Sequence, residues 1–518
     1  MNSNASRNRK VGVVLQYLQM AISIVINLVY TPIMIRVLGD AEYGVYSIAA
    51  SIIAYLNIIS LGFGAAYIRF YSRYKAKEES NKISRLNGLF LLVFLIMSLV
   101  AVLCGLLIAF NAGAFFNSTY SNEEIEIAKV LMLFLTLNLA LTFPMSLFSS
   151  YLMSQERFIF LKVTGLLTTI ISPLLSIALL YLGFGSIGMV VVTTCVSIVA
   201  GLIQAVFCLT KLKMRFSFGR VDFVLLREIF AFSVFIAINQ IIDQINWQTD
   251  KVILGKMIGA TSVAIYTVAA TINTMYINFS TAVSSVFVPR IHSIVNDETL
   301  DEEKKNNELT SLFIKVGRIQ LLILCLVLSG FIFFGKYFVI RWAGEQYIDS
   351  YYIALLLICP VTISLCQNIG IEIQRAKNKH QFRSVVYLIM ALANVGISIL
   401  FTHYFGHIGV AIGTTISLLL ANGLIMNIYY YKVIQIDIVK FWKELILIII
   451  RLIPPFVCGS LIMIFVEFSS LFVWGIWVVV YSLVYGIYSL LFATNSYEKQ
   501  LVRTAFRFLH RKKNNSND

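Results

Sequence analysis

Four polar side chains recur along one apolar stretch, FAFSVFIAINQIIDQINWQTDKVIL: Asn239, Asp243, Asn246 and Asp250, spaced 4, 3 and 4 residues apart. At the helical period they share one face. At ~1.5 Å per residue Asp243 lies roughly 22 Å beyond Glu228, deep in the stretch, while Asp250 lies near its far end. A carboxyl at that depth calls for a water-filled cavity or a partner on this face and is suited to taking up and releasing an ion, so Asp243 is the candidate for ion coupling; the alternative is a structural hydrogen bond between helices. The following apolar stretch carries Thr267, Thr271, Thr274, Asn278, Thr281 and Ser285 at spacings of 3 or 4, and the first carries Gln16, Gln19, Ser23, Asn27 and Tyr30 in the same way. Amide and hydroxyl faces of this kind suit a ligand rich in hydroxyls, which needs donors and acceptors, better than an apolar one. The candidate lining is therefore Gln19, Ser23, Asn27, Asn239, Asn246, Thr271 and Asn278.

A second group is cationic. Arg69 and Arg73 close the second apolar stretch and Arg290 closes the eighth. Arginine binds phosphate oxygens bidentately, so these three are candidates for a rim that attracts an anion. At a helix end they could equally snorkel to the interface. Glu372 and Arg375 are three apart and can form a local ion pair. The five histidines do not cluster, and no catalytic triad, phosphate loop or metal motif is present. All seven cysteines lie in apolar runs, without CxxC spacing, and read as small core residues. No resident cofactor and no metal are expected.

The elements that position these groups must live in a bilayer. Of 518 residues 59% are hydrophobic and 13% charged, with a mean hydropathy of +0.83. A water-soluble domain has about 25% charged residues and cannot hide this much apolar surface. A spanning helix needs about 20 apolar residues. Fourteen runs qualify: Val11 to Ile35, Gly44 to Ile68, Leu86 to Phe110, Ile127 to Tyr151, Leu161 to Leu182, Ile187 to Thr210, Ile229 to Leu254, Val263 to Val288, Leu312 to Gly335, Tyr351 to Ile373, Ser384 to His403, Ile408 to Tyr431, Leu445 to Phe465 and Leu471 to Ala493. The fold class is an all-α polytopic membrane protein of about 14 transmembrane helices. Seven prolines are too few for a loop-rich β chain, and the long runs lack the alternation of a β-barrel.

The excess of 41 Lys and Arg over 26 Asp and Glu does not point to nucleic acid. In alternate loops and the two termini the basic residues number 34, against 6 on the other side. This asymmetry puts both termini in the cytoplasm and requires an even number of spans. A reporter that works only outside the cytoplasm, fused after Asp518, should therefore stay silent. An active fusion would overturn the orientation and the even count together.

The chain also repeats itself. Val37 to Ile52 (VLGDAEYGVYSIAASI) aligns without a gap to Met257 to Ile272 (MIGATSVAIYTVAATI), matching Gly39 to Gly259 and Tyr46 to Tyr266. Both copies join the first and second helices of a six-helix set. The repeat is parallel, related by a pseudo-twofold axis along the membrane normal. The expected organisation is residues 1–215 and 216–435 as two six-helix lobes, 436–494 as two further helices and 495–518 as a basic cytoplasmic tail.

The segment from Thr31 to Phe70, with Leu38-Gly39, Tyr43-Gly44-Val45-Tyr46, Leu61-Gly62 and Arg69, resembles the opening of polysaccharide-biosynthesis flippases. The segment around Asp250, Gly255, Gly259 and Tyr266 resembles their middle section. These belong to the multidrug, oligosaccharidyl-lipid and polysaccharide exporter superfamily. The resemblance implies two lobes in a V and alternating access, coupled to a proton or sodium gradient. It implies a lipid-linked oligosaccharide repeat unit on undecaprenyl pyrophosphate, flipped across the bacterial inner membrane for capsule, exopolysaccharide or O-antigen synthesis. The partners implied are that substrate, membrane lipids and other polysaccharide-assembly membrane proteins. The chain is then not an enzyme. The rival readings are a multidrug antiporter of the same superfamily and a membrane-embedded polymerase or glycosyltransferase, for which the outer loops are too short.

Overall fold

The structure is a computed structural model and describes residues 3–116, 119–219, 222–501 and 503. Most of the basic tail lies outside the described residues. The described residues are mostly helical, with no strand among them. The helices are α1 (Ser3–Ala54), α2 (Phe63–Ala76), α3 (Ser80–Phe110), α4 (Asn122–Ser154), α5 (Phe158–Tyr181), α6 (Gly185–Thr210), α7 (Phe223–Met257), α8 (Ala260–Ser284) and α9 (Val288–Val295). There follow α10 (Glu302–Trp342), α11 (Ile348–Cys366), α12 (Ile369–Ala376), α13 (Gln381–Phe405), α14 (His407–Leu418), α15 (Ile438–Arg451), α16 (Ile453–Phe465) and α17 (Leu471–Tyr488).

The expected spans follow this helical series, although the second crosses the turn at Leu61 and Gly62, the tenth crosses the turn at Gln367 and Asn368, and the twelfth continues past Leu418 in π-helical turns. In lipid no water is available to the main chain, so the i→i−4 ladder must satisfy it. Among the described residues 11 helices are long and apolar enough to cross a membrane, or 12 if the bent pair α15–α16 is one span. The expected fourteen is not reached on this measure. One reason is that the first stretch runs for 63 residues, Val14–Ala76, and contains two expected spans. Its break is internal: Gly39 has φ 76 inside α1. Gly259, its counterpart in the repeat, has φ 129 and separates α7 from α8. Both lie where an L side chain is strained, so the repeat extends to a backbone corner that suits glycine.

Helix starts follow local chemistry. Ser121 and Glu124 form a reciprocal capping box on α4. Asp222, Asp301, Asp437 and Ser470 accept main-chain N–H bonds at the starts of α7, α10, α15 and α17. Pro32, Pro144, Pro173 and Pro360 sit inside helices, which packed neighbours in a membrane tolerate. All seven cysteines are free thiols; three are buried and two are exposed.

By packing, the chain forms two units: Met1–Val268 with Tyr387–Thr414, and Ala269–Val386 with Thr415–Asp518. This is a different division from the two six-helix lobes, which rest on helix order. In the first unit α4 packs on α3 and α6, and α1 packs on α5 and α7. In the second unit α10 is the central element, touching α11, α15, α16 and α17. One cation counted among the loop residues is in fact internal. Arg318 of α10 is 4% exposed and bonds both Glu498 (Nε–Oε1 2.7 Å) and Glu444 (Nη1–Oε2 2.7 Å).

Candidate functional site

In the first unit two of the three candidate arginines come together. The chain breaks after Ser60 and restarts as α2, which carries Arg69 and Arg73 one turn apart. Together with Phe70 and with Glu228, Ala231 and Phe232 of α7 they line a cavity of about 570 Å³. Arg69 is exposed, and its guanidinium stands 4.4 Å above the Phe232 ring. Such a contact holds the planar group without using its N–H donors. Arg73 is half exposed and pairs with Glu228 at 3.2 Å. Arg290 lies in the second unit, on α9, paired with Glu308 at 3.3 Å and exposed. The Glu372–Arg375 pair forms as its spacing suggests.

The polar face of α7 divides. Asn239 and Asp243 are exposed, Asn246 is intermediate, and Asp250 is 1% exposed. Asp250, near the far end of the stretch, is thus the buried carboxylate. Tyr266 of α8 donates to Asp250 Oδ2, and Thr414 of α14 donates to the same oxygen at 2.8 Å. Thr414 also accepts from Asn394 of α13 at 3.3 Å. Ser398, one turn on, donates to Asn394 Oδ1 at 3.1 Å and approaches the Val410 carbonyl at 3.4 Å. Asp250 Oδ1 is buried without a hydrogen-bond partner among the described residues. The cluster thus joins a carboxylate, an amide, hydroxyls and a carbonyl in one polar island, within one unit. Such a set can hold a proton or a small hard cation. No group of three or more His, Cys, Asp or Glu that could hold a metal occurs among the described residues.

Of the other candidates, Gln19 is half-buried and donates to Thr169 of α5 at 3.3 Å. Ser23 is intermediate and Asn27 exposed, on α1. Thr271 and Asn278 are intermediate, on the part of α8 that belongs to the second unit. Sequence spacing did not single out Thr414, Asn394 or Ser398. Only the last two carry a local signal, a polar i, i+4 pair within an apolar run.

The family described as "Polysaccharide biosynthesis protein" matches residues 12–295, more than half of the chain. The uncharacterized membrane protein EpsK of Bacillus subtilis strain 168 is 21% identical over 499 residues, covering 94% of this chain and 95% of its own. The structure of the lipid II flippase MurJ in an inward closed conformation superposes with a TM-score of 0.71 at 17% identity, covering 95% of this chain and 99% of its own. A multidrug resistance transporter of the MATE family and MOP superfamily, inward-facing, superposes with a TM-score of 0.61 at 16% identity, covering 80% and 96%. At these identities the two structures speak for the fold.

Proposed function

Because the chain belongs to the polysaccharide biosynthesis protein family, we propose that it flips a saccharide repeat unit linked to undecaprenyl pyrophosphate across the bacterial inner membrane. The product would feed capsule, exopolysaccharide or O-antigen synthesis. The observation that carries this reading is the cavity shared by Arg69 and Arg73. A diphosphate presents several oxygens to guanidinium forks. Phe232 keeps Arg69 in place, and Arg73 exchanges its bond to Glu228 for one to the ligand. An exposed pair of this kind is worth only about 0–1 kcal/mol, so an incoming phosphate can displace it.

The excess of basic residues in alternate loops supports cytoplasmic termini, and in that orientation the cavity would face the side where lipid-linked precursors are built. The two six-helix lobes would rock about the substrate, and no bond is made or broken, so the activity is transport and not group transfer. Energy would come from a proton or sodium gradient acting at the Asp250 cluster. Membrane lipids and other polysaccharide-assembly proteins are the further partners in this reading.

The test is flipping of a labelled undecaprenyl-pyrophosphate saccharide in reconstituted vesicles. Charge-assisted bonds to phosphate are worth about 1.5–3 kcal/mol each, so Arg69→Ala and Arg73→Ala should each slow flipping about tenfold or more. Lysine should rescue in part, by keeping a point charge. Arg290→Ala reads whether the second unit contributes. Glu228→Gln should speed uptake of dilute substrate by freeing Arg73. Wild-type flipping in Arg69→Ala/Arg73→Ala would sink the reading. The MATE-like fold keeps a multidrug antiporter as the second reading. Its signature would be efflux of a cationic dye, which the paired arginines disfavour.

A further inference from the structure

Outside the arginine cavity and the Asp250 cluster, the first unit holds a second polar concavity between α4, α5 and α6. Its volume is about 250 Å³. Six hydroxyls line it: Thr142, Ser146 and Ser149 from α4, Thr164 and Thr168 from α5, and Ser197 from α6. No charged residue is among its lining residues.

The orientation of the hydroxyl protons decides what can bind. Thr142 donates to Asn138 O at 2.8 Å, Ser146 to Phe143 O at 2.6 Å and Ser149 to Ser146 O at 3.2 Å. Thr164 donates to Phe160 O or Leu161 O, and Thr168 to Gly165 O at 2.8 Å. Five of the six hydroxyls thus spend their one proton on a carbonyl of their own helix. What each retains is lone pairs, and a hydroxyl oxygen accepts through these. Gln204 donates to Thr164 at 3.1 Å, which leaves its carboxamide oxygen as a further acceptor and its second N–H as a donor. The polar part of the lining is therefore rich in acceptors and without formal charge, beside an apolar part formed by Leu141, Met145 and Ile198.

A matching ligand must bring several donors and no net charge. An anion has no donors to offer, and a cation finds no carboxylate to offset its desolvation. An apolar chain would leave the hydroxyls with nothing to accept from. A sugar ring, with O–H groups around its rim, meets all three conditions. Gly165 opens the wall: a Cβ there would stand 3.2 Å from Gln19 Nε2, which brings the amide of α1 to the pocket edge.

We propose that this pocket is a saccharide subsite, recognising one neutral sugar ring of the substrate through its hydroxyl donors. The proposal rests on the reading of the substrate as a lipid-linked saccharide, and assigns its glycan to α4–α6 rather than only to the faces of α1, α7 and α8.

The test uses the full-length protein in lipid nanodiscs. The probes are methyl glycosides of glucose, galactose and N-acetylglucosamine, each beside its fully O-methylated counterpart, followed by saturation-transfer NMR. At least one free glycoside should bind, and O-methylation, which removes the donors but keeps the ring, should weaken it tenfold or more. Ser146→Ala/Ser149→Ala/Thr168→Val removes three acceptors at nearly constant volume and should weaken the same glycoside by a similar factor. Binding by none of the three glycosides, equal binding of the O-methylated form, or unchanged binding by the triple variant would each overturn the subsite. The O-methylated comparison is made on the wild type, so it stands even if the triple variant folds poorly. Flipping of the lipid-linked saccharide separates the two readings. Pocket-dependent binding with no flipping by the wild type removes the proposed function and leaves the subsite. Flipping that is identical in the wild type and the triple variant, without pocket-dependent binding, does the reverse.

Discussion

Arg318→Met should lower the thermal unfolding midpoint sharply and release the segment after Ala493 to protease. The side chain is 4% exposed and makes four contacts, to Glu498 through Nε and Nη2, to Glu444 through Nη1, and to the Ala493 carbonyl through Nη2. Glu498 is itself 4% exposed. It is also tied to the main-chain N–H of Asn495 at 2.7 Å, which fixes the turn after α17. Removing the cation leaves a buried carboxylate without its partner, a change that costs about 3–5 kcal/mol. Glu444 is about one-third exposed and can turn to water, so most of the loss falls on Glu498. Arg318→Met/Glu498→Met should recover most of the stability, because replacing a buried pair by apolar groups of similar volume is close to neutral. Thermal unfolding in detergent and limited proteolysis read both effects. A single variant that unfolds like the wild type would mean that the pair does not hold α17 and its tail to α10.

These buried groups show where sequence reading stops. Hydropathy is a local sum, so the apolar runs mark helical stretches but not their breaks: the run from Gly44 to Ile68 crosses the turn at Leu61 and Gly62, and the run from Tyr351 to Ile373 crosses the turn at Gln367 and Asn368. A repeat is a comparison of short strings, so it pairs Gly39 with Gly259, while the positive φ that both adopt appears only in the structure. Burial of a charged residue is decided by partners far away in the chain. Glu498 is 180 residues from Arg318 and Thr414 is 164 from Asp250. No periodicity within one helix carries that information. Depth along the helix favoured Asp243 over Asp250, yet the deeper residue is exposed and the later one buried. Distance along an axis says nothing about which neighbours cover a side chain. The arginine cavity was half legible. The spacing of Arg69 and Arg73 shows one shared helix, but Glu228 and Phe232 become visible only when α7 packs beside α2. The α4–α6 pocket was not legible at all. Ser and Thr are common in membrane helices, and only the committed protons of these hydroxyls give the pocket its chemistry.

Asp250→Asn should leave flipping intact without a gradient and abolish its acceleration by an imposed proton or sodium gradient. The change is nearly isosteric. The amide oxygen can still accept from Tyr266 and Thr414, so the polar island keeps its main bonds. What is lost is the negative charge, and with it the capacity to bind a proton or to neutralise a small cation. Asp250→Ala is the harsher variant. It strips the acceptor from two buried hydroxyls, and each unsatisfied group costs about 1–3 kcal/mol. Loss of expression in that variant would report on folding, whereas the asparagine variant reports on coupling. The paired measurement is Asp243→Asn, on the same helix but with an exposed side chain. The expected result is a gradient response that disappears in Asp250→Asn and persists in Asp243→Asn. The opposite pattern would return ion coupling to Asp243 and make the Asp250 cluster a structural joint between α7, α8 and α14. Responses equal to the wild type in both variants would remove both carboxylates from the coupling step. The choice of ion follows from the same vesicles. A sodium jump at constant pH and a pH jump at constant sodium separate a cation held by the carboxylate, Asn394 and Thr414 from a proton carried by Asp250 alone.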